Sequence, residues 1–430
     1  MKLYAGERRA TRTKLRLLIT MAALVFCFVR EPPARAAGLL TLHDAISRAL
    51  VVAPSIASAA AASDLGMATL GEARAPLYPS LDGGLNYYQA PGYNPTVTNG
   101  AETAAQLTLN YTAYDFGRRL AVMRAARYAA DAARLGVRAA QSQIVFDTTV
   151  AYYDLMRSRR AVSEWRASFD RLGRYIAVIT HLERSGQAVT TDVLRIRSER
   201  DNAELQLAAA EQASRRAAIV LGSLIGEFDP ADIEIENPTT LPTLPSGNLK
   251  QNPTLRADQR NIDAATLAIK AAQAERYPNL GLQFTTGFLG LNPPKTFGHD
   301  FGASYAGSIG MPIFDGGLIR AHIDAARARQ MTATAQLHQD ELILSQRLAD
   351  ARVRYGEALR QLDILNRSLP TAEDSFALDW TRFLGGGSGT LLEVIDAFRQ
   401  AQTFRLTRID QEFAVRQAAA ETALLFGVSR

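Results

Sequence analysis

The sequence has almost no cysteine and little lysine. Of its 430 residues only Cys27 is a cysteine, and only three lysines, at 250, 270 and 295, follow residue 37. Because Cys27 lies in a segment that we expect to be removed, the mature protein would have no disulfide, thiol catalysis or thiolate metal site. The five histidines show no metal-ligand spacing, and no GxSxG, helix-opening GxGxxG or Gly-Lys phosphate loop occurs. We therefore predict a protein that is not an enzyme and binds no metal or cofactor.

Basic charge is concentrated at the N-terminus. The formal net charge is +5, but residues 1–37 contain eight basic and two acidic residues, which leaves 40 basic and 41 acidic residues in the rest. A nucleic-acid partner is therefore not indicated. The apolar run Leu17–Val29 and the small-residue site Ala34–Ala36 are typical of a secretory signal peptide over residues 1–37. An uncleaved anchor is the alternative, although thirteen apolar residues are few for one.

The rest of the sequence repeats at an interval of about 200 residues. Tyr78-Pro79 recurs as Tyr277-Pro278, and the motif YDFG, from Tyr114, is echoed by FDGG, from Phe314. Landmarks at a nearly constant spacing indicate two copies of one unit. The predicted organisation is repeat 1 over residues 38–226, a proline-rich connector over 227–252, and repeat 2 over 253–430.

Two segments in each repeat alternate between apolar and polar or small residues. These segments are 81–89, 105–114, 280–288 and 301–313. In the second segment Leu107, Leu109 and Tyr111 alternate with polar residues. A period of two predicts β-strands, and the Gly-, Pro- and Asn-rich loops between them predict two hairpins, at about 80–115 and 279–314.

Long helices are predicted after each hairpin. No proline occurs between Pro95 and Pro230, and Trp165, Phe169 and Leu172 belong to a coiled-coil seam. A single helix over residues 116–183 would be roughly 100 Å long. The predicted helical hairpins are 116–226 and 315–427. Pro370 has no counterpart in repeat 1 and predicts a kink or an altered supercoil.

Four strands with an apolar face cannot form a closed structure on their own. An apolar outer face with a polar inner face is the pattern of a membrane barrel, and a barrel must close. Two chains would supply eight strands and three would supply twelve. Only a larger barrel leaves a water channel, and the polar face of Gly, Ser, Thr and Asn favours the larger one.

The sequence resembles the TolC family of outer-membrane efflux proteins. The matching segments are LTLHDAISRAL from Leu40, the two Tyr-Pro helix ends, the YDFG and IFDGG strand-to-helix junctions, and the returning-helix starts TTDVLRIRSER from Thr190 and LLEVIDAFRQAQ from Leu391. The resemblance implies a mainly α fold with membrane β: a homotrimer with a twelve-stranded β-barrel in the outer membrane, four strands per chain, continued by a long α-helical coiled-coil barrel in the periplasm. It also implies a passive exit duct that works with a periplasmic adaptor and an inner-membrane pump of the RND or ABC type.

The resemblance places an entrance gate where the returning helices begin. Asp192 matches the family's gate carboxylate in repeat 1, and Glu393 and Asp396 match two acidic positions in repeat 2. With threefold symmetry, the latter two would form rings of six carboxylates that concentrate cations. The alternative is a solvated carboxylate favoured by the helix dipole. The family's gate arginine aligns with Gly389, so Arg195, one turn from Asp192, is the candidate substitute.

Two further sets of residues are implied by the resemblance. The adaptor-contacting tips are Gly186 and Gln187 in repeat 1, and Gly386, Gly387 and Ser388 in repeat 2. The strand-to-helix junctions carry Asp115 and Gly117, and Asp315 and Gly316. A plain helix turn with glycine at positive φ is the alternative for the tips.

The exported substrate cannot be read from these residues. The predicted function is export of small molecules or drugs, with an outlet for type I protein secretion as the first alternative. A structural coiled-coil protein of the cell envelope is the alternative from another class. A structural coiled-coil protein would explain the coiled-coil seam. It would not explain two copies of a helix–hairpin–helix unit with amphipathic strands.

Overall fold

The structure is a computed structural model, and it describes residues 39–89, 101–227, 229, 233–291, 301–385 and 389–427. The predicted signal peptide and the predicted tip residues Gly386, Gly387 and Ser388 lie outside these ranges.

Helices and strands alternate in the same order in both halves of the chain. In chain order they are α1 (Leu42–Val52), α2 (Pro54–Arg74), β1 (Ser80–Gln89), β2 (Ala101–Tyr114), α3 (Arg118–Arg184), α4 (Thr190–Ile225), α5 (Pro253–Ala274), β3 (Asn279–Leu291), β4 (Phe301–Gly310), α6 (Leu318–Leu384) and α7 (Leu391–Leu425). Short 3-10 turns cover Ala75–Leu77 and Leu249–Gln251. The predicted two-repeat architecture and the predicted four strands per chain are confirmed.

The four strands form one antiparallel sheet in the order β1-β2-β3-β4. The strand β2 of the first hairpin pairs with β3 of the second, so the two repeats join inside the sheet and β1 and β4 are its edges. The strand predicted over 301–313 ends earlier, at Gly310. Pro312 follows and has no N–H to donate to a ladder, and β4 has a partner on one side only.

The apolar face of this sheet is open to its surroundings. Leu85 is 81% exposed, Tyr305 90% and Ile309 77%. The opposite face is polar, because Thr108 and Thr285 bring their hydroxyl oxygens within 3.3 Å and the Asn110 amide donates to Asp82. A sheet of a soluble protein places its apolar face on a core. The open apolar face is therefore the surface that would contact lipid.

Helices α3 and α6 each have 67 residues, which corresponds to roughly 100 Å. The long helix predicted over 116–183 is thus present with its start moved to Arg118. Helix α6 continues through Pro370 without a break, and the predicted kink stays a prediction. Among the described residues no single helix is long and apolar enough to cross a membrane. Helices α1 and α2 reach that length and hydropathy only as a pair, bent by 49°.

The connector is held against the middle of the long helices. Leu40 pairs with Ile235 in a parallel bridge, and the Tyr152 hydroxyl lies 3.0 Å from the Leu40 oxygen and 2.7 Å from the Glu236 oxygen. Burial raises the pKa of Tyr152 to about 12, so this hydroxyl remains a donor. Around it a core of α1, α3, α4 and the connector is closed by Leu155 and Leu221, both fully buried.

Two carboxyl groups meet between α5 and α6. Burial, followed by the neighbouring Asp340, raises the pKa of Asp258 from 3.8 to about 6. The folded chain therefore holds a proton that the unfolded chain has lost, and stability falls as the pH rises from about 4 through 6. The Gln336 amide donates to Asp340 Oδ2, and a hydrogen bond between the two carboxyl groups contributes to the raised pKa of Asp258.

Replacing Asp258 with asparagine is expected to remove this pH dependence. We expect Asp258→Asn to raise the free energy of unfolding by on the order of 1 kcal/mol at pH 8, after allowing for solvent screening, and by almost nothing at pH 4. Thermal unfolding in detergent at the two pH values measures the difference. The exposed Asp363, paired with Arg367, supplies the control Asp363→Asn. An equal gain at both pH values would contradict the assignment.

Candidate functional site

The end of the helices farthest from the sheet has its own core. Side chains of α3, α4, α6 and α7 pack together there, and Tyr175 at its centre lies 4.5 Å from the Trp380 ring and 5.7 Å from the Phe376 ring. The fully or nearly buried members are Leu172, Ile179, Val193, Ile196, Ala203, Leu391, Val394, Ile395 and Phe398. We call this set the tip core. It fixes the starts of α4 and α7, where the predicted gate carboxylates lie.

Asp192 lies in the first turn of α4 with its side chain only 15% exposed. Its backbone N–H donates to the Val189 oxygen at 2.9 Å. Arg195, the candidate substitute for a gate arginine, places Nη1 at 4.0 Å from Asp192 Oδ1 and is 56% exposed. The pair lies within one helix, and among the described residues Arg195 forms no ion pair with another helix.

Glu393 closes the first turn of α7. Its carboxylate accepts from the Thr390 N–H at 3.0 Å, while the Thr390 hydroxyl accepts from the Glu393 N–H at 3.4 Å. This reciprocal pair is a capping box. Glu393 therefore stabilises the start of α7, whether or not it also belongs to a gate. Asp396 is exposed one turn later, on the same side of the helix as Glu393. The two carboxylates are thus adjacent and open to solvent.

An ion pair that was not anticipated from the sequence joins the two repeats near these carboxylates. Arg399 of α7 donates from Nη2 and Nε to Glu199 of α4, at 2.5 and 3.0 Å. The Glu199 side chain is 8% exposed and that of Arg399 is 57% exposed. The hydrogen bond that Arg399 donates to the Glu199 carboxylate raises the pKa of Arg399 above its ordinary value. Among the described residues this is the one ion pair between α4 and α7. The sequence gives little sign of this pair, because helical periodicity alone does not show that a glutamate such as Glu199 is buried.

The first predicted tip is a tight turn. Gly186 has a φ of 77°, its N–H donates to the Glu183 oxygen, and the Gln187 N–H donates to the Leu182 oxygen at 2.8 Å. Gln187 is exposed in this turn. In the other turn, a Cβ added at Gly389 would lie 3.0 Å from the Arg382 Cβ. Gly389, the position predicted to correspond to a gate arginine, is therefore tightly packed.

The junction aspartates begin the long helices. Asp115 accepts from the N–H groups of Gly117 and Arg119, at 3.2 and 2.8 Å. Asp315 accepts from those of Gly317 and Ile319, at 2.9 and 2.7 Å. Each aspartate satisfies donors that a helix start leaves open. The structure thus places these residues at structural turns, about 100 Å from the tip core along α3.

Three comparisons place these features beside known proteins. A sequence model of the family described as outer membrane efflux protein matches residues 45–227 and 244–428. Outer membrane protein TolC of Escherichia coli K12 is 23% identical over 363 residues, which cover 80% of this chain and 73% of that protein. The toluene efflux pump outer membrane protein TtgI of Pseudomonas putida is 25% identical over 344 residues, covering 76% and 72%. The crystal structure of the outer membrane protein VceC of Vibrio cholerae has a TM-score of 0.81 at 20% identity, covering 90% of this chain and 96% of that one.

Proposed function

Because the chain belongs to the outer membrane efflux protein family, we propose that it is the exit duct of a tripartite export system. As a member of this family it is a passive channel of the outer membrane rather than an enzyme, and its helical part lies in the periplasm. The proposal adds that three copies close a twelve-stranded barrel. It also adds that an adaptor and an inner-membrane pump of the RND or ABC type deliver the substrate.

The observation that carries the proposal is the open sheet above the long helices. One chain leaves both edge strands unpaired and an apolar face exposed, and in lipid every backbone group must find a partner. Further copies of this chain would supply strands to both edges. Three copies give twelve strands, enough for a water-filled interior, and the Thr- and Asn-bearing face would line it.

The proposed gate consists of Asp192, Glu393 and Asp396 around the tip core. Rings of carboxylates at a constriction attract cations and repel anions. The exposed positions of Glu393 and Asp396 support this role. Arg195 belongs to the gate as a partner of Asp192 within α4. The junction residues Asp115, Gly117, Asp315 and Gly316 have the separate role of joining barrel to helices.

We propose small molecules as the exported class. A relative of this chain is named as the outer membrane protein of a toluene efflux pump, which favours this class over type I protein secretion. A structural envelope protein is not supported, because the family is one of efflux channels.

A single cysteine at the exposed tip tests the proposal. The predicted mature chain has no other cysteine, so Gln187→Cys with a bifunctional crosslinker in intact cells reports what touches this turn. Met331→Cys, on the exposed side of α6 near the sheet, is the matched control. We expect Gln187→Cys to capture an adaptor that Met331→Cys does not, and mass spectrometry identifies it.

The identity of the captured adaptor separates the alternatives. An adaptor of a proton-driven pump supports export of small molecules, and one of an ABC exporter supports protein secretion. A protein that is in the outer membrane but captures no adaptor from Gln187→Cys would contradict the tip assignment. Extraction of the protein from membranes without detergent would contradict the channel.

A further inference from the structure

A cavity lies between α3, α4 and α7, beside the tip core on the side towards the sheet. Its volume is about 310 Å³. Trp165 and Phe398 supply aromatic walls, and the buried residues Ser168, Ala203 and Gln402 line it as well. We call this space the inter-repeat cavity. Pockets for small molecules begin at about 300 Å³ and are mostly apolar with a few polar groups, so this cavity has the size for a molecule with one aromatic ring.

Two buried polar groups of the inter-repeat cavity have no hydrogen-bond partner among the described residues. They are Ser168 Oγ and Gln402 Nε2, and the two residues are only 0% and 4% exposed. A buried serine of a helix ordinarily donates to a carbonyl of the preceding turn, as Ser158 does to the Leu155 oxygen at 3.0 Å. Unpaired buried polar groups are rare in folded proteins. These two therefore suit a bound molecule that offers them a hydrogen bond.

The Gln402 side chain is a donor towards the inter-repeat cavity. Arg171 Nη2 donates to Gln402 Oε1 at 3.4 Å. Because a guanidinium has no acceptor, the amide oxygen must face Arg171 and the amide nitrogen must face away from it. The Ser168 hydroxyl can donate too. A molecule that satisfies both groups needs an acceptor, such as a carbonyl or hydroxyl oxygen.

The charges at the rim of the cavity are already balanced. Glu199 lines the cavity and accepts from Arg399 Nε at 3.0 Å. Asp410 lines it as well and accepts from Arg157 Nη1 at 3.0 Å. A charged molecule would therefore enter without a counter-ion and lose its hydration. The cavity favours an uncharged molecule.

From these features we propose that the inter-repeat cavity binds a small uncharged aromatic molecule that carries a carbonyl or hydroxyl oxygen. The ring packs against Trp165 and Phe398, and the Gln402 amide and the Ser168 hydroxyl turn to donate to the oxygen. All of these residues belong to one chain. The inference therefore goes beyond the proposed function and does not depend on it.

The bound molecule contacts both repeats at once. Trp165, Ser168 and Ala203 belong to α3 and α4, whereas Phe398 and Gln402 belong to α7. Binding therefore strengthens the contact between the repeats that the Glu199–Arg399 pair also forms. At a concentration ten times the dissociation constant, we expect amide exchange that requires α4 and α7 to separate to slow by about tenfold.

The two tryptophans of the chain provide the test. The variant Trp380→Phe leaves Trp165, in the wall of the cavity, as the only tryptophan. The variant Trp165→Phe leaves Trp380, which packs on Tyr175 at 4.5 Å in the tip core. The probe is acetophenone, which has one ring and one carbonyl and quenches tryptophan on contact. Titrated into the purified protein in detergent, it should quench Trp165 with saturation and Trp380 only weakly and without saturation.

A change of one atom removes the proposed donor. Gln402→Glu keeps an oxygen for Arg171 but has no amide nitrogen, and we expect the dissociation constant of acetophenone to rise by about tenfold. Gln400→Glu adds the same charge at an exposed position of α7 and should bind as the parent does. Ser168→Ala should weaken binding by about threefold, and it provides a second variant if Gln402→Glu changes the emission maximum of Trp165.

The nature of the molecule is tested by competition. The uncharged 1-phenylethanol should displace acetophenone, and the charged benzoate should not. Quenching of Trp165 without saturation, or to the same extent as Trp380, would overturn the inference, and so would equal binding by Gln402→Glu and Gln400→Glu. These results leave the proposed function untouched, which fails only if the chain is absent from the outer membrane or does not export.

Discussion

In single-channel recordings, the variant Glu393→Gln with Asp396→Asn is expected to lose most of the channel's preference for cations. In a trimer it removes six carboxylates from one constriction. A pair of charges about 4 Å apart interacts by about 1 kcal/mol even in water. Because 1.4 kcal/mol corresponds to a factor of ten, we expect the ratio of cation to anion permeability to fall by on the order of tenfold.

The choice of amides over alanine follows from the capping box. Glu393 accepts from the Thr390 N–H, and glutamine at this position can accept in the same way. Glu393→Ala with Asp396→Ala would remove the charge and also the cap, which is worth about 0.5–2 kcal/mol. The amide variant therefore changes selectivity without changing the start of α7.

The matched control removes the same charge elsewhere. Glu357→Gln with Asp363→Asn neutralises two exposed carboxylates of α6, which pair with Arg360 and Arg367. This control is expected to keep the cation preference. Reversal potentials across a salt gradient measure both variants. If the gate variant retains its selectivity, Glu393 and Asp396 are helix-capping and surface residues only.

Loss of the Glu199–Arg399 pair is expected to loosen the contact between the repeats at the tip core. Arg399→Ala leaves the nearly buried Glu199 carboxylate without its guanidinium. Removing one partner of a fully buried pair costs about 3–5 kcal/mol. Because Arg399 is itself 57% exposed, we expect about 1–3 kcal/mol here. Hydrogen exchange should rise in the first turns of α4 and α7 and stay unchanged in the sheet.

A double substitution separates the effect of the ion pair from the effects of its two side chains. With Glu199→Leu and Arg399→Met together, no charge is buried, and apolar residues of similar volume often replace a buried pair without loss. We expect this variant to regain most of the stability lost in Arg399→Ala, which a double-mutant cycle measures. A double variant that is as unstable as Arg399→Ala would show that the guanidinium acts through contacts other than Glu199.

The sequence predicts the elements well because each has a strong periodic signal. Leu107, Leu109 and Tyr111 alternate along a strand, and the proline-free stretch after Pro95 predicts one long helix. The end of β4 was missed because Met311 and Ile313 continue the alternation while Pro312 interrupts the ladder.

The site could be predicted only in part. The resemblance located Glu393 at a helix start, and the spacing of Thr390 and Glu393 is itself the sequence signature of a capping box, a signal that the sequence analysis did not use. The pairing of Glu199 with Arg399 depends on how α4 and α7 pack, and no local pattern encodes a contact between helices 200 residues apart. The same holds for Asp258 and Asp340, whose proximity is set by the packing of α5 on α6.

The pairing of β2 with β3 also sets an order of events in biogenesis. Thr108 and Thr285 are neighbours in the sheet although 177 positions separate them, and the helical hairpin of α3 and α4 occupies most of that interval. Helices form from nearby residues within microseconds, whereas pairing over such a distance is slow. We therefore expect each newly exported chain to cross the periplasm with its helices formed and its strands still unpaired. Such a chain would need protection from aggregation until its strands pair with one another and with those of neighbouring copies in the membrane.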